Sequence, residues 1–247
     1  MKLQEIIRNN YKFAGIAAAS FLIDEGMKNY VEEYDVLDTP KEILDGMKMK
    51  EVSIEKFLNK EFDEPVYVHI DVEDYYRKID GTDGSFDDFK KNPLLYESDF
   101  EKFSKVADIF IVGHFYKDGS PKILTKEMLN NANNAIKVVA DISCDIDGPI
   151  DSTIRVSTIA DPIYGYYPRE NKEVPVDHPA AVVVMAVDNL PCELPKDASE
   201  GFGEMFIEHI IPAFFNNDKD GILERGTICE NGKLTERFSY LEDFVKN

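Results

Sequence analysis

The residues 187–200, VDNLPCELPKDASE, are the segment of this sequence whose residue types are best suited to chemistry. An apolar run ends at Asp188 and Asn189, and two prolines then fix the path of the chain before a helix begins. A carboxylate and an amide at the end of a buried strand can meet a ligand. They can equally cap a turn, so the pattern alone leaves both interpretations open.

A second acidic segment, VADISCDIDGP, covers residues 139–149 and contains Asp141, Asp145 and Asp147. Three acids after a buried strand could hold a metal ion. However, no histidine lies nearby and no glutamate closes the segment at the distance that a calcium loop needs, so we expect no metal site. Cys144 has no local base, which favours a structural cysteine over a nucleophile.

Two further side chains could do chemistry, and each has a simpler explanation. His114 follows an apolar run in VGHF and could titrate near neutral pH, or it could be an ordinary loop residue. Arg155 could bind a carboxylate bidentately, or it could neutralise the acids around it, and the number of those acids favours neutralisation.

The composition excludes several classes of protein. The chain has 247 residues, and 28 Lys and Arg against 48 Asp and Glu leave a formal net charge of −20. Such a charge repels phosphate backbones and anionic lipid, so nucleic acid and membranes are not expected partners. Three widely spaced cysteines predict neither a disulfide framework nor a zinc site, and no leader is evident. We therefore expect a cytoplasmic protein.

The elements that position these residues alternate between strands and helices. Strands are predicted at Pro65–Asp71, Asp108–Val112, Lys137–Ile142 and Ala180–Val187. Helices are predicted at Lys2–Tyr34, Leu94–Val106, Thr125–Asn134 and Leu194–Phe215, and 144–177 is predicted to be irregular. This alternation predicts an α/β fold with a Rossmann-like, mostly parallel sheet flanked by helices, whose chemistry collects at the carboxyl ends of the strands.

At these segments the chain resembles a known family. KVVADISCDIDGPIDSTIRVSTIADPIYGYYP, followed by VMAVDNLPCELPKDASEGFGE, is similar to the lysine-forming saccharopine dehydrogenases and lysine-ketoglutarate reductases, which are relatives of alanine dehydrogenase. The resemblance runs from about Pro65 to Phe214. It implies two Rossmann-like domains and an oxidation, dependent on NAD or NADP, of a secondary amine derived from an amino acid.

The resemblance also implies roles for particular residues. Asp188 would be the catalytic acid that faces the bound amine. The residues that would line the cofactor and substrate cleft with it are Val187, Asn189 and Leu190, and those beside the nicotinamide ribose are Ile142 and Ser143.

The chain departs from this family in two ways. No G-x-G-x-x-G sequence follows a predicted strand, and the amino-terminal domain with the catalytic lysine and histidine is not evident. We therefore expect a truncated enzyme. The expected domains are a helical remnant at 1–50, a Rossmann-like portion at 51–190, and terminal helices at 191–247 that return to the truncated first domain.

The alternatives to a truncated enzyme are a non-catalytic binding or assembly module, or one half of a split enzyme. Either would act with a partner chain or as a homodimer.

Overall fold

The structure is a computed structural model that describes residues 14–19, 49–114, 119–193 and 195–245. The chain divides into two compact units, Met1–Glu193 and Leu194–Asn247. The first unit contains the main sheet, the segment 139–149 and residues 187–193, and the second consists of short helices and a small hairpin.

The described strands of the first unit are β1 (Ala14–Ala19), β2 (Lys50–Glu51), β3 (Val66–His69), β4 (Tyr76–Lys78), β5 (Tyr96–Ser98), β6 (Ile109–Gly113), β7 (Val138–Asp141), β8 (Ile163–Tyr167), β9 (Lys172–Val174) and β10 (Val182–Met185). Its described α-helices are α1 (Ile54–Leu58), α2 (Val72–Tyr75), α3 (Phe86–Lys91), α4 (Glu101–Ser104) and α5 (Lys126–Asn130). Short 3₁₀ helices cover Pro93–Leu95 and Leu190–Glu193.

The described strands of the main sheet have the order β2-β3-β1-β6-β7-β10-β8-β9. The pairs from β2 to β10 are parallel, while β8 and β9 add an antiparallel edge. From β1 the chain first builds one side of the sheet and then returns to β6 on the other. The carboxyl ends of β1 and β6 therefore form a topological switch point, where open α/β sheets bind ligands.

The α/β class and the mostly parallel sheet are confirmed. The four predicted strands appear as β3, β6, β7 and β10, each within two residues of the predicted bounds. The prediction that 144–177 is irregular is wrong in part, because β8 and β9 lie within it. Leu94–Val106 is also not one helix, since β5 interrupts it and pairs with β4 in a separate two-stranded sheet.

The predicted helix Lys2–Tyr34 is wrong at Ala14–Ala19, where the chain forms β1. This strand pairs in parallel with β3 on one side and with β6 on the other. Alanine favours helices in isolated peptides, but pairing on both sides of a central strand overrides that preference. Of the expected helical remnant at 1–50, residues 1–13 and 20–48 lie outside the described part of the chain, and Lys50 belongs to β2. The expected domain boundaries remain predictions.

The core of the first unit packs aromatic side chains of the helices against the sheet. Phe100, Phe103 and Phe110 are fully buried, and the rings of Phe100 and Phe110 have centroids 4.5 Å apart. The helix starts follow ordinary capping chemistry. Ser53 accepts from the backbone of the first turn of α1, and Thr125 does the same for α5. These caps fix where α1 and α5 begin.

The second unit begins with the predicted helix near Leu194. Its described elements are α6 (Pro195–Met205), a π-helical turn (Phe206–Ile210), α7 (Ile211–Phe215), α8 (Ile222–Gly226), β11 (Cys229–Glu230), β12 (Lys233–Leu234), a 3₁₀ helix (Glu236–Leu241) and α9 (Glu242–Val245). Among the described residues of this unit, Ala213 is a buried hydrophobic residue, whereas Phe202 and Phe215 are largely exposed. No helix in the described ranges is long and apolar enough to cross a membrane.

Candidate functional site

The predicted site residues follow two adjacent parallel strands. Ile142 and Ser143 come directly after β7, and the backbone N–H of Ile142 donates to the carbonyl oxygen of Val112 in β6 at 2.8 Å. Val187 to Leu190 follow β10, which pairs with β7. The fold thus brings both groups to the same edge of the sheet, the one at which ligands bind in open α/β sheets.

These residues differ in how far they are accessible. Val187 is buried at 3% exposure, whereas Asp188 and Asn189 are exposed in the turn that follows β10. Leu190 and Ser143 are half-buried. The side chains that can meet a ligand directly are therefore the acid and the amide, and the roles assigned to all of them remain predictions.

The turn that carries Asp188 is anchored at its start by Ser157. Ser157 forms a bridge to Val187, and its backbone N–H donates to the carbonyl oxygen of Ala186 at 2.7 Å. Its hydroxyl accepts from the N–H of Ala186 at 3.0 Å and lies 2.9 Å from the carbonyl oxygen of Pro162, to which it donates. Ser157 is fully buried, so these bonds compete little with water.

The turn after β7 is held by Asp141, which is fully buried. One carboxylate oxygen accepts from the backbone N–H groups of Ser143 at 3.0 Å and Cys144 at 3.1 Å. The other accepts from the hydroxyl of Thr153 at 2.6 Å. Burial raises the pKa of Asp141, and these three hydrogen bonds oppose that rise. Asp141 is therefore a residue that shapes the loop and is not available to a ligand.

Ser143 joins the ends of β6 and β7 through His114. The Ser143 hydroxyl accepts from the backbone N–H of His114 at 2.9 Å and lies 3.0 Å from His114 Nδ1. The His114 side chain is 0% exposed, and its Nε2 lies 3.6 Å from Oδ2 of Asp145. Burial lowers the pKa of His114 to about 4, so the imidazole is neutral near pH 7 and this contact is not an ion pair.

Negative charge accumulates around Cys144, which adopts a left-handed backbone conformation with φ 56°. Burial, together with the smaller effect of the charges of Asp141, Asp188 and Asp145, raises the pKa of its thiol to about 11. The thiol is therefore protonated near neutral pH, which agrees with a structural cysteine. Asp188 and Asp145 thus lie close to the same thiol, and this edge of the sheet favours a cationic group over a phosphate.

In the sequence, His114 carried little weight, because a lone histidine after a strand is common, and Asp145 was indicated only as one of three acids that could hold a metal ion. The signal that could have found them is the parallel pairing of β6 with β7, which makes the residues after each strand neighbours. Arg155 is not available to a ligand, because it binds Glu173 through Nε at 2.7 Å and through Nη2 at 2.9 Å. It neutralises an acid as expected, although the acid is on β9.

The glycine-rich turn of dinucleotide-binding folds follows the first strand of the sheet. Here that strand is β1, and the sequence after it is SFLIDEG, with no glycine before Gly26. At the neighbouring carboxyl end of β6, a Cβ added to Gly113 would meet open space. Apart from Gly113 and its two chain neighbours, no described residue has an atom within 4 Å of it. Within the described ranges, no group of three or more His, Cys, Asp or Glu side chains is arranged to hold a metal ion.

Comparison with known families identifies the chain's ancestry. Residues 13–237 match the family model described as alanine dehydrogenase/PNT, C-terminal domain. The chain belongs to this family. The match begins just before β1, which agrees with a sheet that starts at that strand.

Individual relatives confirm the resemblance seen in the sequence. An alpha-aminoadipic semialdehyde synthase of Arabidopsis thaliana is 30% identical over 172 residues, which are 66% of this chain and 16% of that protein. The mitochondrial protein of the same name from Rattus norvegicus is 23% identical and covers 83% of this chain and 24% of itself. The NAD(+), L-lysine-forming saccharopine dehydrogenase of Schizosaccharomyces pombe is 31% identical over 42% of this chain and 27% of its own length.

The chain therefore spans 16–27% of the length of these three relatives. Among solved structures, an L-alanine dehydrogenase aligns with 95% of this chain and 53% of its own, at a TM-score of 0.45 and 13% identity.

Proposed function

We propose that this chain binds a nicotinamide dinucleotide, NAD or NADP, at the carboxyl edge of its sheet. It would serve there as the dinucleotide-binding part of an oxidoreductase. The observation that carries this proposal is the convergence of Ser143, Asp188 and Asn189 at the ends of adjacent parallel strands. The family to which the chain belongs, and a relative whose name specifies NAD(+), support the same class of cofactor.

The substrate we propose is a secondary amine derived from an amino acid, of the saccharopine type. A secondary amine is cationic near neutral pH, and Asp188 presents an exposed carboxylate at the start of a firmly held turn. An acidic edge lowers the free energy of such a cation and disfavours the pyrophosphate of the cofactor. We therefore expect weak dinucleotide binding by the chain alone, which a partner chain that completes the site would strengthen. The described cysteines are free thiols, in keeping with the cytoplasm.

A second candidate is a non-catalytic binding or assembly module, or one half of a split enzyme. It is favoured by the sequence SFLIDEG after β1, which supplies no glycine turn for a pyrophosphate. This candidate would act with a partner chain or as a homodimer.

Isothermal titration of the full chain with NAD⁺, NADH, NADP⁺ and NADPH separates the two candidates. Dinucleotide binding predicts saturable heat for at least one of them at millimolar concentration or below. No heat from any of the four would contradict the proposal and favour the second candidate.

The role of Asp188 is tested by adding saccharopine to the dinucleotide complex and following absorbance at the wavelength of the reduced nicotinamide. We expect Asp188→Asn to weaken amine affinity by about tenfold and to change dinucleotide affinity little, since about 1.4 kcal/mol of attraction to a cation is lost. Asp87→Asn makes the same change at an exposed acid of α3 and is the matched control. Equal amine affinity in all three proteins would remove Asp188 from the site.

A further inference from the structure

The contacts on both sides of the His114 imidazole favour one of its two neutral tautomers. Ser143 Oγ already accepts from the backbone N–H of His114, so its own hydrogen is free to be donated. Of the acceptors in reach, Nδ1 is at 3.0 Å and the carbonyl oxygen of His114 is at 3.4 Å. Donation to the nearer atom makes Nδ1 an acceptor, and the carboxylate of Asp145 opposite Nε2 favours a hydrogen there over a lone pair. A neutral imidazole then carries its hydrogen on Nε2.

The resulting Nε2–H group is buried and has no hydrogen-bond partner among the described residues. The nearest carboxylate oxygen, Oδ2 of Asp145, lies 3.6 Å away, which is too far for a hydrogen bond. Buried donors in folded proteins almost always have a partner in the protein, in a ligand or in an ordered water. The Asp145 side chain is 46% exposed, so its carboxylate can shift enough to admit a group that contacts both Nε2–H and Asp145.

Nε2–H and Asp145 Oδ2 together form a donor beside an acceptor, 3.6 Å apart. A primary carboxamide has the complementary pair, a carbonyl oxygen that accepts beside an amino group that donates. A carboxylate offers two acceptors and would be repelled by Asp145. A methyl ketone offers the acceptor and lacks the donor.

We propose that His114 and Asp145 form a carboxamide-recognition site, in which Nε2–H donates to the carboxamide oxygen and Asp145 accepts from its amino group. The identity of the ligand rests on the proposed dinucleotide binding: the carboxamide is that of the nicotinamide ring. The site lies at the carboxyl ends of β6 and β7, adjacent to the switch point of the sheet. His114 and Asp145 are then specificity-determining residues that reject dinucleotides whose ring carries an acid in place of the amide.

The first test compares three dinucleotides by titration of the full chain: NAD⁺, its nicotinic acid analogue and its 3-acetylpyridine analogue. The wild-type chain should prefer NAD⁺ over the acid by more than about tenfold, because a site built around paired polar groups discriminates strongly against unpaired ones. Asp145→Asn should lose most of that preference. Asp147→Asn is the matched control, since Asp147 is an exposed acid two positions along the chain and should retain the preference.

Equal affinity of the wild-type chain for NAD⁺ and the acid analogue would overturn the inference and leave dinucleotide binding intact. Retention of the full preference by Asp145→Asn would overturn it as well. Because Asp145 is partly exposed, its substitution carries a small risk of misfolding.

A second test does not depend on the rest of the dinucleotide. Free nicotinamide and free nicotinic acid are titrated separately into the full chain labelled at its histidines. The Nε2 resonance of His114, assigned with His114→Gln, is followed by NMR. Nicotinamide should shift this resonance saturably and nicotinic acid should not. If no dinucleotide binds but nicotinamide shifts His114, the proposed function fails and the carboxamide site stands. If the His114 resonance does not move at the highest nicotinamide concentration, the carboxamide does not bind at Nε2. That result would overturn the inference.

Discussion

The buried imidazole of His114 should make the stability of the protein depend on pH in a defined window. An exposed histidine has a pKa near 6.5, and burial lowers the pKa of His114 to about 4 in the folded chain. As the pH falls below about 6.5, the unfolded chain binds a proton that the folded chain does not, so stability is lost down to about pH 4. The full difference is worth about 3 kcal/mol, and about 2 kcal/mol of it is lost between pH 7 and pH 5.

The perturbation is His114→Gln, which removes the titrating group. Urea unfolding at about pH 7 and about pH 5, followed by circular dichroism because the chain has no tryptophan, gives the free energy of unfolding at each pH. We expect the wild-type chain to lose about 2 kcal/mol more than the variant on this change of pH. Burial raises the pKa of Asp141 and of Asp145, which act in the opposite direction, but both acids are present in both proteins.

His69→Gln is the matched control for the substitution, because the His69 side chain is 42% exposed. The reasoning is refuted if His114→Gln leaves the pH dependence of unfolding unchanged. It is also refuted if the two variants change it equally, or if NMR shows His114 titrating in the folded chain near pH 6.5.

Three further predictions concern the loops after β7 and β10. Iodoacetamide should label the exposed Cys192 at least about tenfold faster than Cys144 near pH 8, because the pKa of the Cys144 thiol is about 11; equal rates by peptide mass spectrometry would contradict this. Thr153→Val should lower the free energy of unfolding by about 1–3 kcal/mol in urea, since it leaves a buried oxygen of Asp141 without its donor. Ser157→Ala should cost a similar amount in the same assay, and a loss below about 0.5 kcal/mol would show that water replaces its bonds.

The four predicted strands, β3, β6, β7 and β10, share one property, a short apolar run bounded by turn residues. Such runs can be recognised because strands in the interior of a sheet carry mostly apolar side chains, as β10 does. β1 was missed because its sequence, AGIAAA, contains residues that favour a helix when they are considered alone. Its strand state depends on pairing with β3 and β6, which are distant in sequence, so local propensity could not reveal it.

The antiparallel strands β8 and β9 were missed for a different reason. Glycine and proline residues around them indicate turns, and β9 is a short strand of Lys172–Val174 with two exposed charged residues. An edge strand of this kind has little hydrophobic periodicity to detect. The same limit applies to Arg155, whose partner Glu173 lies on β9 and could not be identified without it.

For the candidate site, the sequence indicated the strand ends but not which side chains face each other. Ser143 and Asp188 could be chosen because each follows a recognisable strand. The contact between Ser143 and His114 joins residues 29 positions apart, and it exists because β6 and β7 are parallel neighbours. Asp145 becomes relevant only through the buried nitrogen that it faces.

The contacts that hold these strand ends can be used to test whether they form a ligand site or only stabilise the fold. Folding of a parallel sheet requires apolar strands and paired backbone groups, and β7 and β10 provide both. It does not require a buried carboxylate to arrange the loop after β7, or a buried serine to anchor the turn before Asp188. Buried polar groups are costly unless they are fully bonded, so Asp141 and Ser157 are tolerated only because their partners are held in place. If Thr153→Val and Ser157→Ala weaken the binding of a dinucleotide more than they weaken folding, the polar contacts serve the site. If they reduce only stability, the chain is better described as an assembly module.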